Sequence, residues 1–170
     1  SCRLSAGRQS RHFWINDIIH HALIRAGMPA VKEPVGLAMG LRPDGATLVP
    51  WASGRPAAWD ATVADTLAAT YLDRTAHAAG AAAEALAAAK VRKYDALADK
   101  YIIVPLAFET LGPICAEGVS FVRDLGKRLT EVSRDLRETA YLFQRLSIAI
   151  QRGNALSVLA TLNSGTKDLY

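Results

Sequence analysis

The chain has 170 residues, 51% of them apolar, enough to bury the core of one domain. A charged fraction of 21% excludes disorder by composition, no apolar run reaches the roughly 18 residues of a membrane span, and two cysteines give no disulfide framework. The excess of 20 Lys and Arg over 16 Asp and Glu, a net charge of +4, permits a polyanionic partner without requiring one.

The start, SCRLSAGRQSRH, is polar and basic and has no signal-peptide pattern; the two cysteines, Cys2 and Cys115, without a disulfide framework, make an intracellular setting the expectation. A first residue of Ser rather than Met suits a fragment or a processed chain. Apolar residues at 15, 18, 19, 22, 23 and 26 predict a helix over 13–26, stopped by Gly27 and Pro29. Three short strands are then expected, over 30–38, 46–51 and 57–64, separated by turn signals at Asp44-Gly45 and at 53–56, and able to form a meander. The alanine-rich run 75–98 predicts one long helix lying close against a sheet. The continuous apolar run YIIVPLAFET (101–110) predicts a buried central strand that Gly112-Pro113 ends. Two further helices are expected from about Glu117 onward. The fold class is therefore α/β, with the order αβββαβ, a mixed sheet with helices on it, and C-terminal helices.

Chemistry concentrates around two acids. Asp44 and Asp60, with fifteen residues between them, lie on or beside neighbouring strands of the meander. Strands run about 4.8 Å apart, so two carboxylates facing each other there can share one Mg²⁺, with water and phosphate completing the shell. Asp44 reads equally as a turn residue, since Pro-Asp-Gly is good turn chemistry. Asp60 is harder to explain that way, because Asp is depleted from strands. On a helical wheel with Leu86 at the origin, Lys90 lands at about 40°, inside the apolar arc, and Lys93 at about 340°, on its edge. A lysine in a packing face snorkels to solvent or meets an anion.

Together these elements resemble the PD-(D/E)xK restriction-like nuclease fold, and most closely the endonuclease domain at the C-terminus of non-LTR retrotransposon proteins. The residues that carry the resemblance are Arg42-Pro43-Asp44-Gly45, Trp59-Asp60-Ala61-Thr62 and Lys90-Val91-Arg92-Lys93-Tyr94, with KEPVGL at 32–37 and LFQRLSIAIQRGNA in the tail. The resemblance implies a Mg²⁺- or Mn²⁺-dependent DNA endonuclease that nicks target DNA to prime reverse transcription, in the nucleus if active. Asp44 and Asp60 would hold the metal, with Glu33 as a third candidate ligand. Lys90, ahead of Lys93, would position water or steady the phosphorane, and Arg42 would grip the scissile phosphate. The wider superfamily has a lysine on the third strand where this chain has Thr62, so the helix must supply it.

The resemblance also implies domain limits: 1–12 as the remnant of an upstream zinc-motif segment, 13–112 as the nuclease core and 113–170 as its helical extension. Cys2 alone cannot make a four-ligand zinc site, so no zinc is expected. The reverse transcriptase domain is not in this chain. Glu33 reads equally as an edge-strand charge that blocks pairing. His20, His21, His77 and Glu84 read as helix-surface residues, and Cys115 and Ser120 lack partners for a nucleophilic triad. The rival expectation is a noncatalytic module that binds nucleic acid or protein, an inactive relic of a retroelement. A junction-resolving enzyme of the same superfamily is a third, which would need dimerisation and a third-strand lysine.

Overall fold

The computed structural model describes residues 5–37 and 40–165, with side chains from Gly7 to Leu162. Cys2 lies outside the described residues. Helix α1 (Ser5–Arg25) leads into strands β1 (Ala30–Lys32), β2 (Gly45–Thr47) and β3 (Ala57–Ala64). Helices α2 (Ala69–Thr75) and α3 (Ala81–Lys93) follow, then β4 (Ile102–Glu109), α4 (Ala116–Ser133) and α5 (Glu138–Gly165). The sheet order is β1-β2-β3-β4; the first three strands are antiparallel and β4 runs parallel to β3. A parallel pair needs a crossover, and α2 and α3 supply it. The chain is thus α/β, a four-stranded mixed sheet flanked by helices.

Strand alternation sorts β3 onto two faces. Ala57, Trp59 and Ala61 join the main core with Ile15, Ile19 and Leu23 of α1, Leu125 and Leu129 of α4, and Leu146 and Ile150 of α5. On the opposite face α3 lays Ala83 and Ala87 against Ala107 of β4 and against Cys115. The alanines permit that close approach, as the composition of the run implies. Asp60 falls on this second face by the same alternation, and so does Thr62.

Several boundaries differ from expectation. The first helix starts at Ser5, not 13, because Arg11 is drawn in against α5: its guanidinium donates to Asn154 Oδ1 at 3.0 Å and Ser157 Oγ at 3.3 Å. Gly153 on α5 has to be glycine here, since a Cβ would overlap the Arg11 side chain. The predicted C-terminal stop is in place: Gly27 takes φ 71 and Met28 N–H bonds Leu23 C=O at 2.9 Å. Strands β1 and β2 are only three residues each, far shorter than the runs 30–38 and 46–51. The long helix over 75–98 is broken. Gly80 sits at φ 88 and starts α3, which ends at Lys93, with a separate 3-10 turn at Asp95–Leu97.

The expected central strand is instead at the end of the sheet order. Among the described strands β4 pairs with β3 alone, apart from one antiparallel bridge between Phe108 and Ile114, yet its last six residues are buried. Helices α3 and α4 cover its two faces. Its free edge is met by 113–115: Glu109 N–H donates to Pro113 C=O at 2.8 Å and Cys115 N–H to Ala107 C=O at 3.0 Å. A covered edge also explains Pro105, which has no N–H to give a central ladder.

Gly45 shows how tightly the sheet is built where it meets the candidate site. It pairs with Trp59, and a Cβ on it would overlap the indole ring. Trp59 is fully buried and its Nε1–H donates to Asn16 Oδ1 at 3.1 Å. The indole cannot swing away from Gly45 without losing that bond. Gly45→Ala is expected to cost about 3 kcal/mol, the upper range for overpacking. A denaturant midpoint unchanged from the parent would show that the ring is free to shift.

Candidate functional site

The strand registers bring the acids into one row. Gly45 pairs with Trp59, so the antiparallel register carried one step further sets Asp44 opposite Asp60. Lys32 pairs with Gly45, and Glu33 N–H donates to Asp44 C=O at 2.9 Å, which sets Glu33 opposite Asp44. Asp60 of β3, Asp44 just before β2 and Glu33 just after β1 thus stand in line at one end of the short ladder. Glu33 itself leaves the strand conformation, with φ 48. It lines a cleft of 330 Å³ with His12, Asn16 and Asp44.

Asp60 is the buried member, 5% exposed. Isolated, a buried carboxylate would be costly. Two residues of α3 and its C-cap meet it. Lys90 Nζ lies 2.6 Å from Oδ1, the Tyr94 hydroxyl donates a short hydrogen bond to Oδ2, and Lys93 Nζ stands 3.8 Å from Oδ2. Lys93 Nζ also donates to the Tyr94 hydroxyl at 3.0 Å and sits over its ring at 4.6 Å. The Tyr94 oxygen is 3.0 Å from the Arg42 carbonyl, which ties α3 to the segment preceding Asp44. Burial first, and then Asp60, push the Tyr94 phenol well above its ordinary value, so it stays a proton donor. Thr62 lies one alternation beyond Asp60 on β3, and the amine that meets Asp60 comes from α3.

Asp44 is held differently. Its Oδ2 accepts from Ala61 N–H at 2.6 Å and meets His12 Nε2 at 3.0 Å. Burial pushes this carboxyl up, but the hydrogen bonds from His12 and Ala61, the His12 charge and the Asn16 amide outweigh it and hold the group below its usual range. The hydrogen bond to Asp44 raises His12 in turn, against burial, with Asp60 adding and Lys90 opposing. Asp60 and Lys90 therefore act on His12 electrostatically, which places the two carboxylates in one field. The guanidinium of Arg42 is on an exposed residue beside this cluster.

The pair has a pH signature in the absence of divalent ions. His12, raised above 6.5, contributes stability that is whole below that value and is lost as pH rises through its folded-state pKa. Asp44, depressed below 3.8, contributes stability that is whole above that value and is lost only as pH falls through its lower folded-state pKa. Thermal melts in EDTA should show the gap between the parent and His12→Ala greatest at about pH 5 to 6 and narrowed by about pH 9. A gap constant over that range would mean that a neutral imidazole makes the whole contact.

Asp44 from the bend just before β2, Asp60 from β3 and Lys90 from α3, with Lys93 at longer range, are brought together. Arg42 reaches the cluster through its carbonyl. His12 and Tyr94 carry contacts that sequence reasoning did not assign, as does Asn16. Tyr94 had a signal: it follows Lys93 directly and falls in the apolar arc with Lys90. His12 and Asn16 had only their spacing of four on one helix face. Val91, next to Lys90 in the last turn of α3, is 42% exposed. Glu84, expected to be solvated, is exposed and also caps α4 by accepting from Ala116 N–H at 2.7 Å.

Among the described residues no helix is long and apolar enough to cross a membrane. No group of three or more His, Cys, Asp and Glu stands in metal-holding geometry among them either. A Mg²⁺ site of the kind expected needs only one or two carboxylates. No family model matches the chain, and no curated protein sequence matches it.

Proposed function

We propose that this chain is a restriction-like nuclease domain that hydrolyses DNA phosphodiester bonds with a divalent cation, and that it nicks target DNA. The observation that carries the proposal is the meeting of Asp60 with Lys90 at 2.6 Å, with Asp44 at the start of the neighbouring strand β2. A buried acid, a second acid in register and a helix-borne lysine are the groups this chemistry requires, and they come from segments far apart in sequence. The donor set fits Mg²⁺ or Mn²⁺: hard carboxylate oxygens of Asp44 and Asp60, in a place that already attracts a cationic amine. Bound there, the ion would supply Lewis acidity and a more acidic attacking water. Lys90 would then turn from Asp60 toward the attacked phosphate, where its charge offsets the developing negative charge. Lys93, half exposed, would assist from the rim, and Arg42 would orient the phosphate through a bidentate grip.

The test is nicking of supercoiled plasmid by the purified chain in Mg²⁺ or Mn²⁺ against EDTA. Metal-dependent conversion to open circles is expected. A folded chain that cleaves in neither metal overturns the proposal. One observation favours a noncatalytic module instead: both oxygens of Asp60 are engaged by the protein itself. DNA binding measured against salt then tells whether that module acts on nucleic acid.

A further inference from the structure

A second groove, of 580 Å³, opens where the C-terminal half of β3 meets α1, α2 and α3. It adjoins the acid cluster through two residues. His12 lines both this groove and the cleft at Asp44, and Thr62 stands one strand alternation, about 6.6 Å, beyond Asp60 on the same face. Val63 and Leu86 give it apolar walls, Tyr71 an aromatic one, and Arg8 a cation at its mouth. Arg8 forms no ion pair among the described residues, and the Tyr71 hydroxyl has no partner among them. Asp65 also lines the groove, with Oδ1 accepting from Leu67 N–H at 3.1 Å.

We propose that this groove holds an unpaired base of the DNA strand, next to the nucleotide whose phosphate lies at Asp60. The proposal rests on the nuclease reading for the neighbouring phosphate but has its own observations. The volume is that of a small-ligand site, with mixed apolar and hydrogen-bonding walls. An acid inside the groove opposes a second phosphate there and leaves an uncharged ring as the matching occupant. Every base presents a π face to an aromatic side chain or a guanidinium, so Tyr71 and Arg8 would accept any sequence. The partner would be DNA with a locally unpaired strand rather than continuous duplex.

The test needs no cleavage. The intact chain, in EDTA at one fixed salt concentration, is titrated into a duplex with a central five-nucleotide bubble carrying 2-aminopurine, and into the fully paired duplex. The bubble should bind about ten-fold tighter, the scale of one stacked base, with a change in 2-aminopurine emission. Tyr71→Ala and Arg8→Ala should remove the preference, and Tyr71→Phe, which keeps the ring, should retain it. Circular dichroism confirms that each variant folds. Equal binding of the two DNAs by the parent, or a preference that survives Tyr71→Ala, overturns the subsite. A preference without metal-dependent nicking leaves the base site standing and removes the nuclease; nicking without the preference does the reverse.

Discussion

Asp60→Asn should reduce metal-dependent nicking by at least about 10²- to 10³-fold while leaving the chain folded. Asn keeps the shape of Asp and keeps an oxygen that can accept the Tyr94 proton. It loses the charge that a cation and Lys90 both need. Lys90 is 23% exposed at its side chain, so its amine can turn to solvent once the carboxylate is gone. The expected stability loss is therefore that of hydrogen bonding to a charged group, about 1–3 kcal/mol, rather than that of a stranded buried charge. Activity and stability separate in this variant, and that separation identifies a site residue rather than a structural one. Plasmid nicking under single-turnover conditions and a denaturant midpoint, measured on the same sample, read both. A variant that nicks at the parent rate would end the metal role of Asp60.

The layered α/β architecture was legible in the sequence because β-period runs and a helical alanine run alternate along it. The details that failed are those decided by tertiary contact. The run 101–110 is apolar throughout because α3 and α4 cover both its faces. Periodicity reports burial on two faces and cannot tell a central strand from an end strand whose edge is met by another segment. Helix propensity is as high in 76–79 as in 81–89, yet Gly80 at φ 88 divides them. Lys90 could be placed from the wheel alone, since its position depends on one helix lying on the sheet. His12 could not, because its meeting with Asp44 depends on how α1 crosses β3 and β1, which local sequence does not encode. Glu109 is a similar case. It is fully buried and accepts from Ala82 N–H at 2.9 Å and Ala83 N–H at 3.3 Å, anchoring the start of α3 to the end of β4. That bond helps set where Lys90, more than two turns further on, meets Asp60.

Lys90→Ala should lose nicking as Asp60→Asn does but lose more stability and recover it with a divalent cation, and that contrast is the strongest discriminator between a nuclease and a structural salt bridge. Removing the amine leaves Asp60, 7% exposed at its side chain, with Tyr94 and the more distant Lys93. A buried charge that loses its partner costs about 3 kcal/mol or more, so the variant should melt well below the parent in EDTA. A divalent cation can replace what was lost. At about one hundred times its dissociation constant a bound ion adds about 2.7 kcal/mol, which in a chain of this size is a rise of roughly 5–10 °C. The parent should gain less, because its own amine competes for Asp60 Oδ1. The double variant Asp60→Asn with Lys90→Ala should gain nothing. Nicking by Lys90→Ala should stay lost even where the melt shows the cation bound, since the residue's task is at the phosphate. Were Lys90→Ala to show no Mg²⁺-dependent rise, the carboxylates would not be a cation site, and the ion pair would be a tie between α3 and β3. Were it instead to nick at the parent rate, the catalytic amine would be Lys93, whose Nζ is already 3.8 Å from the same carboxylate.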